Sequence, residues 1–478
     1  MALFGIELVI TLIMLSLLHR LSVYYSFAKW IIAYRLIRYW YSRPEKPDKH
    51  SKLDTSNNGA HSDDRNFKND KSRRNRKRLC GNWKRNDKVV SDSDNQQITL
   101  EASLLHPYDF MHLHFYREYQ WLVDFAVYAF VVYLMSEIHY ALVPSSKEMN
   151  LSLIWCFLVI AFATKILSSL TGIYFTSNDE AIGERSLCLI SGCLFFLLAM
   201  IVLIGNESFV EFGLNDAYYA FNSSATKFIE NYGLQNIKGV LSQVVFKFIL
   251  AVWCGLMGAF LIFPGFRLAQ MYIHSLSYAK GNIRKQFILH VAFISPLLTI
   301  LLWVRPVARE YFTEKSWGKR GILMTADSFE IMRIFVILST MLIRLAVMPW
   351  YLQSYLNLAP RKLARLKKEA GRVKDEEVQK LISGVFVYLF VVCLQYVCPL
   401  LQCTFIALLS KTFGGYSWLS LFQRAIVSKE SPMLSYIFYR GVLGFMSWWL
   451  MIVWFISSII GFIYHSYLSR DTEILIKK

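Results

Sequence analysis

Eight residues that can carry charge lie inside long apolar runs: Glu7, Asp124, Glu137, Lys165, Lys247, His290, Arg333 and Arg344. An ionised side chain at mid-bilayer costs about 3 kcal/mol by insertion scales, so such groups pair, snorkel to an interface, or serve a polar route. Asp124 and Glu137 stand 13 positions apart, about 20 Å along a helix, so they do not form one carboxylate pair. Each calls for a partner on another helix. Two chemistries stay open. One is an ion route or gating element; the other is structural, with Lys247, Arg333 and Lys165 snorkelling and Asp124 and Glu137 paired for assembly. His290 lacks the companion Asn or Asp motif of a membrane acyltransferase and reads as a hydrogen-bonded packing residue. No arginine array, Gly-Tyr-Gly filter, HExxH pair, Walker loop or Gly-x-Ser-x-Gly elbow occurs. The expectation is a non-enzymatic chain without metal or cofactor.

The elements that must position these charges are nine apolar stretches, at 2–18, 121–143, 151–174, 186–204, 244–264, 287–304, 331–350, 382–409 and 442–464. Each approaches the roughly 20 residues that a helix needs to cross a hydrocarbon core about 30 Å thick. The fold class is therefore all-α, a polytopic helical membrane protein of about nine transmembrane helices. The first stretch carries Glu7 and no Lys or Arg, with no small-x-small pattern after it. It reads as a retained anchor; as a cleaved signal peptide it would leave eight spans.

The 478 residues are 55% hydrophobic and 16% aromatic, with net charge +18. Their mean hydropathy is +0.35. The basic residues cluster between spans, which points to anionic inner-leaflet lipid and the positive-inside rule rather than to nucleic acid. Seven of the eight cysteines (all but Cys80) fall within spans and read as small apolar core residues.

Charge and sequons agree on sidedness. The Lys71–Arg78 cluster, the acid-free loop with Arg267, Lys280, Arg284 and Lys285, and the segment after Trp350 belong in the cytosol. The sequons at Asn150, Asn206 and Asn222 then fall outside, Asn222 being the best glycosylation candidate. This puts the N-terminus outside and the C-terminus in the cytosol of a plasma-membrane or endomembrane protein. The loop 410–440 is placed outside despite Lys411, Arg424, Lys429 and Arg440.

The organisation is thus a first span at 1–20, an interfacial helix at 21–44 (or a re-entrant segment), and a disordered basic loop at 45–117. Spans two to seven fill 118–350. A basic amphipathic helix at 351–380 precedes spans eight and nine at 381–466 and a cytosolic tail at 467–478. In the amphipathic segment, Leu356, Ala359, Leu363, Leu366, Ala370 and Val373 recur at steps of three and four. Arg361, Lys362, Arg365, Lys367 and Lys368 are assigned to the anionic lipid surface.

Several strings together resemble the eukaryotic transmembrane protein 161 family. They include Glu118-Tyr119-Gln120-Trp121, Gly183-Glu184-Arg185-Ser186, Phe263-Pro264-Gly265, Leu394-Gln395-Tyr396 and Lys411-Thr412-Phe413-Gly414-Gly415-Tyr416-Ser417-Trp418. The match covers nearly the whole chain except the basic insert between Pro44 and Gln97. The resemblance implies a multi-pass membrane glycoprotein that influences potassium and calcium currents, excitability and heart rhythm, with a protective role in oxidative stress. It supplies no catalytic or ligand residues. The leading expectation is a regulator acting on ion-channel subunits. The alternatives are a channel or transporter in its own right, using Asp124, Glu137 and Lys165, or a stress-protective membrane protein.

Overall fold

On the helix Ile182–Ile204, Leu189, Ile190, Leu194, Leu197, Ile201 and Ile204 are exposed, while Cys188, Phe195, Ala199 and Leu203 are buried. A helix apolar on its covered and its uncovered face has lipid as its natural surroundings. The computed structural model describes residues 6–41, 100–143, 150–176, 182–205, 210–231, 241–315, 324–369, 375–416, 418 and 436–477. One compact unit comprises 1–40 with 102–478; a second, 41–101, is described only at Tyr41, Leu100 and Glu101.

The helices, in chain order, are α1 (Ile6–Tyr24), α2 (Phe27–Ile32), α3 (Pro107–Phe110), α4 (Tyr116–Leu142), α5 (Ser152–Thr176), α6 (Ile182–Ile204) and α7 (Leu214–Asn231). They continue with α8 (Gln243–Tyr278), α9 (Ile283–Leu301), a π-helical segment (Arg305–Glu314), α10 (Ala326–Leu356) and α11 (Leu358–Glu369). The last are α12 (Asp375–Val387), α13 (Leu389–Phe413) and α14 (Tyr436–Lys477). Among the described residues eight helices are long and apolar enough to cross a membrane: α4, α5, α6, α8, α9, α10, α13 and α14. The ninth expected stretch is α1, whose apolar part, Leu8–Leu18, is shorter; it packs on α4.

α8 is the central pillar, packed against α6, α14, α10 and α13. Glycines allow that crowding. A Cβ on Gly258 would stand 2.5 Å from the Phe195 Cβ, and one on Gly265 would stand 2.9 Å from the backbone nitrogen of Ser458. Without hydrophobic gain between lipid-embedded helices, close backbone approach at small residues supplies the packing. Pro264, Pro296, Pro349 and Pro399 lie inside α8, α9, α10 and α13. Each lacks an N–H and so releases the carbonyl four residues earlier.

The segment 21–44 is not one interfacial helix. α1 runs on to Tyr24, α2 follows, Tyr34 takes a left-handed φ of 59°, and Ile37–Tyr41 forms strand β1 with Leu100–Leu104 as strand β2. The sequence Ile37-Arg38-Tyr39-Trp40-Tyr41 favours a strand because its aromatic and β-branched side chains fit a pleated surface. Of the loop expected to be disordered over 45–117, residues 45–99 lie outside those described. The remainder is β2, α3 and the first residues of α4. At the other end, α10 continues to Leu356, the expected amphipathic helix is divided into α11 and the start of α12, and the residues expected to form a cytosolic tail prolong α14 as far as Lys477.

Candidate functional site

Each intramembrane charge finds a different answer. Asp124, only 4% exposed on α4, accepts from the Ser26 hydroxyl at 2.7 Å and the Ala28 N–H at 3.1 Å. Ser26 is the N-cap of α2 and also accepts from the Lys29 N–H. The partner of Asp124 is thus the positive end of a short helix rather than a cation on another span. His290 is exposed, with Nδ1 2.7 Å from the Tyr272 hydroxyl, a hydrogen-bonded packing role. Lys165 is exposed on α5 and Lys247 half-exposed near the start of α8, as snorkelling requires. For Glu7 only the backbone is described.

Glu137 on α4 forms an ion pair with Lys411 on α13; the side chains are 17% and 8% exposed. The Thr412 hydroxyl donates to Glu137 at 3.4 Å and lies 3.1 Å from the Tyr133 hydroxyl. Lys411, which the sequence assigned to an exterior loop, is the last turn of the span. Arg440, from the same loop, donates to the Gly414 carbonyl, pairs with Asp327 at 3.5 Å and lies over the rings of Tyr416 and Tyr436. Two of the four loop cations are therefore neutralised within the fold.

Arg344 on α10 is 1% exposed. Its Nε donates to the Ala292 carbonyl at 3.3 Å, and its guanidinium lies 4.0 Å over Trp454. Ala292 is four residues before Pro296, so the acceptor is the carbonyl that the proline released. Nη1 and Nη2 have no partner. Among the described residues no ion pair joins two of the eight charges that the sequence singled out. The actual partners, Lys411, Glu330 and the α2 terminus, sit at or beyond the ends of the apolar runs.

Arg333 is among the residues that line a cavity of about 960 Å³ between α7, α10, α14 and the π-helical segment. Its Nη1 meets Glu330 at 2.7 Å, its Nε donates to the Leu302 carbonyl, and its guanidinium lies over Trp303 and Phe329. Glu211 is set against the π-helical segment by the bridge Val210–Val304 and pairs there with Arg309. Ile337 and Ala407 reach the same cavity from one turn beyond Arg333 and from α13. Burial pushes the Tyr416 hydroxyl well above the usual phenol range, so this wall residue stays neutral. No motif announces the cavity, because its walls come from five separated segments.

At the opposite end of α8, Arg361 donates to His274 and Ser277 and lies 4.4 Å over Tyr278. Half-buried, Arg361 thus has hydrogen-bond partners within the fold. Lys362 and Arg365 are exposed on α11, while for Lys367 and Lys368 only the backbone is described. Of the sequons, Asn150 accepts from the Ser152 N–H at the start of α5, Asn222 is half-buried within α7, and Asn206 lies outside the described residues. No group of His, Cys, Asp or Glu able to hold a metal occurs among the described residues.

A family model described as predicted transmembrane protein 161AB matches residues 2–433 and 426–469. The chain belongs to this family. No solved structure matches it. In this transmembrane protein 161AB chain the strings that carried the resemblance include structural partners: Lys411 and Thr412 hold Glu137, and Gly265 admits α14.

Proposed function

We propose that the protein is a non-enzymatic regulator of cation currents, acting on channel subunits rather than conducting ions itself. The observation that carries this reading is the Glu137–Lys411 pair, together with Asp124 held at the α2 terminus. Both carboxylates that a conducting route would use are engaged by partners within the fold, and Lys165 is exposed. The potassium- and calcium-current role rests on the family resemblance. The exposed Lys362 and Arg365 of α11 fit contact with an anionic inner leaflet, which accords with a cytosolic C-terminus.

The test is reconstitution of the purified protein in liposomes beside co-expression with voltage-gated potassium and calcium channels. The expected result is no ion flux from the protein alone and altered channel current on co-expression. Flux through the purified protein, abolished by Glu137→Gln, would replace the regulator reading with a conducting one.

A further inference from the structure

Asn357, at the break between α10 and α11, has its amide oriented by two donors. Its Oδ1 accepts from the Tyr39 hydroxyl at 3.1 Å and from Gln353 Nε2 at 2.8 Å. Nδ2 is left without an acceptor among the described residues, and it is not one of the sealed polar atoms of the fold. Asn357 lines a cavity of about 170 Å³ between α8, α9 and α10. Lys285, exposed on α9, lines the same cavity and holds its ammonium 5.9 Å from the ring centre of Trp350, another wall residue. The other polar groups of the wall are engaged: Ser275 donates to the Trp350 carbonyl, Ser354 to Met271, Tyr278 to Asn357, and Gln353 holds both polar groups of Ile37. The Lys285 ammonium and Asn357 Nδ2 remain for an occupant, and both donate.

No carboxylate balances them. Neither 231–309 nor 331–368 contains an Asp or Glu, and Lys280 and Arg284 are exposed beside Lys285. We propose that this cavity is a binding site for a phosphate monoester, held by Lys285 and Asn357. An anion with three acceptor oxygens answers free donors in a wall without acid. The volume lies below the roughly 300–1,000 Å³ of sites for drug-sized ligands, which suits a single phosphate group. Exposed Ile283, Phe287 and Ile288 adjoin Lys285 along α9 and offer acyl chains a surface. The same chemistry is presented by a phosphatidic acid headgroup and by a dissolved phosphate monoester. The site is separate from the leaflet contact of Lys362 and Arg365 and takes from that reading only the side of the membrane.

The experiment measures thermal unfolding of the full chain in detergent against rising dihexanoyl phosphatidic acid or glycerol 3-phosphate, with dihexanoyl phosphatidylcholine as control. A ligand that binds only the folded state raises the transition in a saturable, concentration-dependent way. The expected result is such a rise with a phosphate monoester and none with the control. A rise with the lipid alone identifies a headgroup; an equal rise with glycerol 3-phosphate identifies a dissolved ligand. Lys285→Gln should weaken the affinity about ten-fold through loss of a charged hydrogen bond. Asn357→Asp keeps an acceptor for Tyr39 and Gln353 but puts an anionic oxygen in place of the donor, and should abolish binding. Lys362→Gln, on the exposed side of α11, should leave the affinity unchanged. Should Asn357→Asp not fold, Lys285→Gln carries the test. No saturable rise with either phosphate, an equal rise with phosphatidylcholine, or native affinity in Lys285→Gln would overturn the proposal. A loss in Lys362→Gln as large as that in Lys285→Gln would also overturn it, by moving the phosphate to α11. None of these outcomes bears on the regulator reading, which the liposome flux decides.

Discussion

Glu137 and Lys411 face each other from α4 and α13, largely screened from solvent and 274 positions apart in sequence. Removing one member leaves the other charge buried without compensation, which costs about 3–5 kcal/mol. We expect Glu137→Ala and Lys411→Ala each to lower the unfolding temperature sharply, and the pair Glu137→Gln with Lys411→Met to recover much of the loss. A double-mutant cycle on detergent-solubilised protein checks this; additive losses would deny the coupling.

Asp124 is expected to act on α2. Asp124→Ala leaves Ser26 and the Ala28 N–H without their acceptor, a loss of about 1–2 kcal/mol by the usual cost of a helix cap. Hydrogen exchange at the amides of α2 should quicken, and surface abundance should fall. Altered currents at normal abundance would assign Asp124 a functional role instead.

Arg344 presents the reverse case. Two of its guanidinium nitrogens are unpaired in a site 1% exposed, so the charge contributes little that packing cannot replace. Arg344→Met is expected to unfold within about 1 kcal/mol of the native chain or above it, because Ser295 also donates to the Ala292 carbonyl. A loss of several degrees in its melting temperature would show that the guanidinium is net stabilising.

Gly258→Ala tests the pillar. The added methyl would meet the Phe195 Cβ at 2.5 Å and its Cγ at 2.8 Å, and overpacking of this kind costs about 1–3 kcal/mol. A native melting curve would mean that α6 shifts freely.

The eight spans were legible because bilayer thickness sets a length that composition alone reveals. Partners were not. Lys411 lies just past the apolar run that ends at 409, and the partner of Asp124 is a helix terminus, which has no residue signature beyond Ser26. Periodicity marks Ala359 and Leu363 as part of one apolar stripe, and both are buried, at 3% and 4% exposure. Periodicity says which side is covered, not by what, and here α11 packs on α10 and α12. The cavity was illegible for a related reason: Glu211, Arg309 and Glu330 become neighbours only when three segments meet.

The register between Leu36 and Leu105, fixed by the Leu105 N–H donating to the Leu36 carbonyl at 2.9 Å, brings the two flanks of the long basic insert side by side. Gln353 fastens one flank to α10 through both polar groups of Ile37. A chain whose ends are already joined loses little entropy on elongation, about 0.6 kcal/mol for each doubling. Evolution can therefore lengthen, shorten or rewrite that stretch while the helices keep their places, and a reporter domain spliced there should travel with an undisturbed bundle.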